Sequence, residues 1–570
     1  MEKLHAALLD AFEGKNEAEF RQNYSENTRG WNAVRYEDCA LDFVPVTERE
    51  YLVVDRSEDR LCGTYTVSPY AEDERTEKTI TSLLIADEWD VRKALPVILE
   101  KRWTNVYFLL NEAAPKFASF FKLKGFLASL PPNVKFFATT EEMRRYFLET
   151  PGAYLPREIA APEAGKYEGL IEELHEARIR SGVRSDHVLL SVCVPSLNRG
   201  GRALEAVRAA LNNRYDAEIE VILVNSGSTI GTEEYQEIGC IVDSRLRYYE
   251  YAVNSGFDIN FCNTLKKASG HFALILSDED PLISENLDQV FRYLMNHYDL
   301  GINKFYTHKN QPSKLDTGII PKGLEGLKWT HVYTMHLSGI CYNMDIIKEQ
   351  GIFEQMEKYK EEYPLFAQIL ISALIAAKHD VSLNEIKAWI WGKNAETGGL
   401  RGEGVVISAT GIATFDKPEG SGIMMKQWIR FAKDFLNEQE LKEFIDFAVN
   451  RILSDRSIVA KQMGLAYEDA IGSWLNLWQT IYAAWREISK ELKLENDAEL
   501  NAQIDRSFFY WLICKRLQKY HAPEENLLPC LQAQVAKYYY DKGTPIEEID
   551  FQGIEKDLEG WVQDFLSKRS

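Results

Sequence analysis

Short apolar runs of strand length alternate with helical periodicity through the first two thirds of the chain, and helical spacing alone takes over after about residue 425. Near the start, the runs at 51–54, 79–85, 106–110 and 134–138 have the length and the β-branched and aromatic content of strands. Thr139-Thr140-Glu141-Glu142 follows the last of them with a hydroxyl cap and early acidic groups, which predicts a helix start. Residues 1–150 are therefore expected to form an N-terminal α/β accessory unit, and no catalytic motif stands out in it. Pro151, Pro156 and Pro162 then punctuate a stretch that reads as linker. It leads into a charged helix at about 166–180, so linker and helix together are expected to occupy 151–186.

The next block keeps a stricter rhythm. Residues 188–194 are almost continuously apolar, as a strand buried on both faces must be. Leu204, Val207, Ala210 and Leu211 then form one stripe of a helix, and 219–224 is a second strand. A third strand is expected at 247–253, a helix at about 258–267 and a fourth strand at 272–276. This β-α-β order predicts a mainly parallel, Rossmann-like sheet with right-handed crossovers. Glycines crowd between 392 and 422, a pattern of connections and of mobile lids alike. Beyond 425, Trp428, Phe431, Phe435 and Leu436 recur at helical spacing, as do Trp474, Leu477, Ile481 and Trp485. A central domain at 187–424 and a helical C-terminal domain at 425–570 follow from this reading.

The 570 residues exceed what one core usually organises, in keeping with several domains. A net charge of −21 excludes a general binder of nucleic-acid backbones but leaves room for a local basic pocket. The eight cysteines are scattered, none in C-x-x-C, and Cys193 sits inside an apolar strand. Buried small hydrophobes in a reducing compartment are expected, not a disulfide frame or a zinc site. No basic-then-apolar leader opens the sequence, and no apolar window is long enough to span a bilayer. A cytoplasmic protein is expected, with peripheral contact to the inner face of the membrane left open.

Polar residues gather where the central strands end, which is where open α/β sheets collect ligands. The four ends are Pro195-Ser196-Leu197-Asn198-Arg199, Asn225-Ser226-Gly227-Ser228-Thr229, Asn254 to Asn260, and Ser277-Asp278-Glu279-Asp280-Pro281. Three adjacent carboxylates repel unless exposed or neutralised. The last cluster therefore reads either as a Mg²⁺ or Mn²⁺ site or as a solvated turn before a helix near Ser284.

The order of these motifs resembles family 2 glycosyltransferases of the GT-A fold. Ser191 to Arg199 matches S-V-x-x-P-[TS]-x-N-R, and Glu218 to Ser228 resembles E-I-x-[IVL]-V-D-[DN]-G-S, with Asn225 in place of the aspartate. Ala268-Ser269-Gly270-His271-Phe272 matches A-x-G-x-[YF] ahead of the DxD-type motif Asp278-Glu279-Asp280. Gly256-Phe257-Asp258-Ile259-Asn260 looks like the G-F-D-x-N element of an abequosyltransferase-like branch.

The resemblance implies that Pro195, Ser196, Asn198 and Arg199 cradle the base and ribose of a nucleotide sugar. Asn225 stands where the family reads the base with an aspartate; Ser226 follows it, and Asp258 and Asn260 complete the nucleotide side. Asp278 and Asp280 are the implied ligands of Mn²⁺ or Mg²⁺ and of the diphosphate, with Glu279 entering if the register shifts by one. Ser338 and Gly339 fall where the family lines its donor-sugar and acceptor pocket. The family's catalytic base opens a helix, and its nearest counterpart is Glu362, with Glu361 and Glu357 as rivals. His308, His331, His336 and Arg401 are further candidates for ligand contact.

The expected activity is inverting, metal-dependent transfer of a sugar, UDP-linked by expectation, to a glycan, lipid-linked or protein acceptor in bacterial polysaccharide or glycoprotein synthesis. A catalytically inactive GT-A-like glycan-binding or scaffolding protein is the alternative. A sugar nucleotidyltransferase ranks last, because Pro195 to Arg202 does not fit its glycine-rich loop. A homo-oligomer is left open, and nucleic acid is not an expected partner.

Overall fold

A computed structural model describes residues 16–508, apart from 29–30, 32, 56, 59, 74–75, 308–316, 335, 361–365, 393–417, 463–479 and 506. Among the described residues the strands form three sheets. The first is antiparallel, in the order β1 (Leu41–Pro45), β2 (Glu50–Asp55), β3 (Arg60–Thr66). The second comprises β4 (Ser82–Ala86), β5 (Val106–Leu109), β6 (Val134–Phe137) and β7 (Pro156–Ala160), all parallel in the order β6-β5-β4-β7. Phe43, Val53 and Tyr65 of the first sheet share a core with Leu83, Ile85 and Phe108 of the second. The N-terminal α/β unit is thus present, with two additions. β1 and β3 flank the strand expected at 51–54. β7, inside the stretch read as linker, is the edge strand next to β4, so the unit runs past residue 150.

The third sheet carries β8 (Leu190–Ser196), β9 (Ile219–Asn225), β10 (Leu246–Glu250), β11 (Phe272–Ile275), β12 (Ile302–Thr307), β13 (Gly318–Ile320), β14 (Ile340–Asn343) and β15 (Val381–Trp389). Its order is β10-β9-β8-β11-β14-β12-β15-β13. The first four strands run parallel, and β14 is inserted antiparallel between β11 and β12. That reversal brings the residues preceding β14 to the edge where β8, β9 and β11 end. This is the GT-A type of mainly parallel sheet that the resemblance implied.

Strict alternation explains why the parallel strands read as continuous apolar runs. Cys193, Ile222, Val224, Ala273 and Ile275 enter one core, whereas Val192, Val194, Val221, Leu223 and Leu274 enter the core on the opposite face. The first core continues without a break into Trp428 and Ile429 of the helix Pro418–Lys433, Phe444 and Val449 of the helix Glu438–Gln462, and Ile481 and Trp485. The boundary expected at 424/425 therefore falls inside a helix whose apolar face belongs to the central core. Trp474, Leu477, Arg401 and residues 393–417 of the glycine-rich stretch lie outside the described residues. Among the described residues the cysteines are free, with Cys193, Cys262 and Cys341 buried.

At the edge away from the strand ends, Glu220 ties three segments together. Its Oε1 accepts from the Ser191 hydroxyl at 2.6 Å and from the Ser269 N–H at 2.7 Å, and its Oε2 pairs with Arg247 at 2.8 Å. Gly270 passes so close to β8 that a Cβ would lie 2.9 Å from the Ser191 nitrogen. The A-x-G-x-[YF] segment is therefore a packing motif, which brings β11 in beside β8. Replacing Glu220 by Ala leaves Arg247 without its carboxylate and the Ser269 N–H without its acceptor, and we expect a loss of about 3 kcal/mol. Urea unfolding checks this; a midpoint within error of wild type would contradict it.

Candidate active site

β8 ends in Pro195 and Ser196, both buried, and the chain then turns through Asn198 with φ +57°. A left-handed backbone suits asparagine better than most side chains. The Asn198 Oδ1 accepts from the Thr229 and Ile230 N–H groups at 2.8 and 3.2 Å, and its own N–H donates to the Ser228 hydroxyl at 2.7 Å. Asn198 thus locks the β8 loop to the β9 loop. Gly227, with φ +70°, lets the β9 loop pass Val253, where a Cβ would meet backbone at 2.6 Å.

Asn225 is 1% exposed. Its Oδ1 accepts from the Ser228 N–H at 3.1 Å, and its Nδ2 points to the Tyr248 hydroxyl and to Glu250, each at 3.4 Å. The Ser226 N–H donates to the Ser196 carbonyl at 3.0 Å, which fastens the two strand ends together. Asn260 donates to that same carbonyl at 3.3 Å, while its buried Oδ1 has no partner among the described residues. Asp258, expected on the nucleotide side, accepts from the Ala367 N–H at 2.9 Å. Its carboxylate serves the N-terminus of the helix Ala367–Ala376, where a negative charge is favourable.

The acidic turn sits at the centre of these strand ends. Asp278 and Asp280 are 3% and 1% exposed. This excludes the solvated turn as the account of either residue. Asp278 receives the Ser196 hydroxyl at 2.7 Å on Oδ2 and Arg199 at 3.0 Å on Oδ1. Ser196 also contacts the Tyr235 hydroxyl at 2.5 Å, and that hydroxyl accepts from the Arg199 N–H at 3.2 Å. Glu279 points outward and pairs with Arg202 at 2.8 Å and Arg199 at 3.6 Å.

Asp280 is held from the other side of the sheet edge. Its Oδ2 accepts from the Ser338 hydroxyl at 2.6 Å and its Oδ1 from the Gly392 N–H at 2.9 Å. Ser338 Oγ in turn accepts from the Ser277 N–H at 2.8 Å. Burial, opposed by the Ser338 hydrogen bond, pushes the Asp280 carboxyl up to about 6. Burial likewise raises Asp278, against the opposing field of Arg199.

Gly339 adopts φ +88°, and a Cβ there would stand 2.2 Å from the Phe305 carbonyl oxygen and 2.5 Å from the Trp389 indole nitrogen. His336 lies flat on Trp389, with ring centroids 5.1 Å apart, and its Nε2 is 3.6 Å from Asp280 Oδ2. Beneath this turn Lys304 of β12 donates to the carbonyls of both His336 and Ser338 at 2.8 Å. Burial draws the Lys304 ammonium down to about 7, against the field of Asp280.

Ser196, Asn198, Arg199, Asn225, Ser226, Asn260, Asp278, Glu279, Asp280, Ser338 and Gly339 thus converge on one edge, whereas Asp258 is engaged by a helix start. Glu361, Glu362 and His308 lie outside the described residues, and Glu357 is exposed on the helix Ile352–Lys360. His331 is buried and stacked on Trp428 at 4.0 Å, a core position. Tyr235, Arg202 and Lys304 were not foreseen as site residues.

A divalent cation fits this donor set in one respect. Two hard carboxylates suit Mg²⁺ or Mn²⁺, which keep several waters and share substrate phosphates. Each engaged carboxylate oxygen also retains a lone-pair direction. Among the described residues no three His, Cys, Asp or Glu side chains converge to hold a cation without substrate.

Residues 191–323 match the family model described as glycosyl transferase family 2. The abequosyltransferase RfbV of Salmonella typhimurium is 29% identical over 116 residues, which are 20% of this chain and 34% of that protein. An uncharacterized glycosyltransferase of Mycoplasma genitalium, MG025, is 25% identical over 185 residues, covering 30% of this chain and 61% of its own length. The chain thus spans about a third and about three fifths of these two relatives. The S. aureus TarS 1–349 structure in complex with UDP-GlcNAc superposes with TM-score 0.40 at 16% identity, over 59% of this chain and 93% of that one. A mannosyltransferase from Pyrobaculum calidifontis, in complex with GDP-Man and Mn²⁺, gives 0.32 at 11% identity, over 62% and 96%. Likeness at those scores carries nothing about ligands. The segment 191–323, which holds all four polar strand ends and the acidic turn, is thus the part of the chain that is similar to glycosyl transferase family 2.

Proposed function

We propose that the chain is an inverting glycosyltransferase that moves a sugar from a nucleotide-diphosphate donor to the hydroxyl of a glycan, lipid-linked or protein acceptor. The observation that carries this reading is the buried pair Asp278 and Asp280, held by separate hydrogen-bond sets where the parallel strands end. Burying two carboxylates this close together is costly, and the cost favours a cation or a charged ligand at their mouth.

Asp278 and Asp280 are the residues that would hold Mn²⁺ or Mg²⁺, and the bound ion would supply charge neutralisation for the departing diphosphate. The protein's own part is positional. Arg199 and Ser196 orient Asp278, Ser338 and the Gly392 N–H orient Asp280, and Asn225 offers an amide for the base. In the transfer, the acceptor oxygen bonds to the anomeric carbon as the bond to the diphosphate breaks from the opposite face. The acceptor proton passes to a carboxylate, which we assign to Glu362 or Glu361. Asp258 holds the start of the helix that follows them. Among the described residues no helix is long and apolar enough to cross a membrane. UDP as the nucleotide and a cytoplasmic setting are parts of the same proposal.

The test is a panel of UDP-, GDP- and TDP-sugars with Mn²⁺, read by donor hydrolysis and thermal stabilisation. Folded protein that responds to no donor would overturn the assignment. The pH dependence sharpens it. With Asp280 up at about 6, its ionised form grows as pH rises, so donor turnover should climb between about pH 5 and 7. Saturating Mn²⁺ competes with the proton and should move this limb to lower pH. The effect on stability has the opposite sign. A carboxyl whose folded-state pKa is raised favours the fold below about pH 4 and loses that contribution as pH passes through about 6.

A further inference from the structure

Lys304 is an unusual residue for its position. It lies in the interior of the eight-stranded sheet, on β12, directly opposite Ile340 of the antiparallel β14. It is only 7% exposed. Burying an ammonium costs several kcal/mol even after relaxation, whereas a neutral side chain at a sheet centre costs far less. Among the described residues no carboxylate forms a salt bridge with it. Its hydrogen bonds go instead to the His336 and Ser338 carbonyls, both at 2.8 Å.

Those carbonyls belong to the short turn that joins the helix Leu324–Tyr333 to β14. The side chains of the same two residues face Asp280: the Ser338 hydroxyl donates to Oδ2 at 2.6 Å, and His336 Nε2 stands 3.6 Å from the same oxygen. The Ser338 N–H donates back to His336 Nδ1 at 3.2 Å, which ties the two residues to each other. We propose that Lys304 is a positioning residue of the donor site, whose ammonium clamps this turn from below and thereby holds the Ser338 hydroxyl and the His336 ring against Asp280.

The clamp rests on the donor-site reading above, and it has its own geometry. Two carbonyls two residues apart converge on one point, and a tetrahedral ammonium on a long stem can donate to both from that point. In the charged form these bonds are about twice as strong as neutral ones, and the neutral amine still has two N–H groups, one for each carbonyl. Without them the buried Ser338 carbonyl and the partly buried His336 carbonyl lose this donor, and the turn has to open toward solvent to regain one.

Three variants test the clamp. Lys304→Met keeps the stem and removes the donors, Lys304→Gln keeps a single amide donor group, and Lys304→Arg keeps the charge and several donors. Support partners of a ligand-holding residue typically contribute about 10- to 100-fold. We expect Lys304→Met to raise the donor KM and lower kcat/KM by at least about tenfold, with Lys304→Arg recovering most of the loss. The assays run well below the thermal midpoint of each variant, so that a purely structural role would leave KM in place. An unchanged donor KM in folded Lys304→Met overturns the proposal. If that variant does not fold, Lys304→Gln is read by the same criterion.

A crystal structure of the same variant decides independently of turnover. The Ser338–Asp280 hydrogen bond is expected to open, and its persistence at wild-type length overturns the clamp. Failure of the wild-type protein to use any donor would instead sink the proposed function and leave the structural comparison to judge Lys304.

Discussion

Asp280→Asn should reduce donor turnover by at least about 100-fold while leaving the fold nearly as stable as wild type. The two halves of this expectation have separate causes. An asparagine keeps an oxygen for the Gly392 N–H, and its amide can donate to Ser338 Oγ, which presently donates to Oδ2. Burial already disfavours charge at this position, so losing the charge costs the folded state little. What disappears is the anionic oxygen that a cation or a diphosphate-bound cation would require. Asp278→Asn differs in an informative way. Arg199 would lose the countercharge 3.0 Å away and keep only Glu279 as a charged partner, so stability should fall along with activity. Donor-hydrolysis kinetics and thermal melts on both variants separate these outcomes. An Asp280→Asn protein that retains more than about a tenth of wild-type kcat/KM would remove Asp280 from the donor site.

Gly339→Ala should be the most damaging single substitution at this edge, acting on folding and on the site together. The left-handed backbone alone costs a non-glycine residue about 1–2 kcal/mol. The larger part comes from space, since the added methyl would lie 2.2 Å from the Phe305 carbonyl oxygen and 2.5 Å from the Trp389 indole nitrogen. Neither atom can yield easily. The Phe305 carbonyl accepts from that indole N–H at 3.1 Å, and the Phe305 N–H donates to the Gly339 carbonyl at 2.8 Å. The strand end must therefore shift, and Ser338 shifts with it, away from Asp280. We expect a loss of at least about 3 kcal/mol and donor binding too weak to measure. Calorimetry and donor titration would show this; a variant that melts like wild type would mean that the β12–β14 contact is looser than described.

How much of this was legible in the sequence depends on what each residue touches. The ends of β8, β9 and β11 were readable because a buried strand that stops in Asn, Ser, Arg or Asp leaves a local signature. The position of Ser338 and Gly339 came only with the family likeness, since nothing around them says that β14 runs backwards between β11 and β12. Lys304 was invisible for a different reason: its partners are carbonyls 32 and 34 residues away, and carbonyls have no sequence identity. Asp258 sits in a ligand-like motif, and the sequence could not show that its carboxylate also meets a backbone N–H 109 residues later. β3 was missed because it is mostly exposed, with too little apolar periodicity to detect, and β7 because Pro156 inside it and Pro151 and Pro162 around it argue locally for a linker.

The continuous core beneath the strand ends bears on modularity. The helices Pro418–Lys433 and Glu438–Gln462 fill the same apolar volume as Cys193, Ile222, Val224 and Ile275 of the strands that carry the converging loops. A swap with a relative that exchanged only the family segment would leave Trp428, Phe444 and Trp485 facing a surface shaped for other side chains. The packed unit beneath these strands therefore extends at least through Phe508, well beyond the matched segment 191–323. Divergence in the C-terminal helices should track divergence on the underside of the sheet, as paired changes in one shared volume.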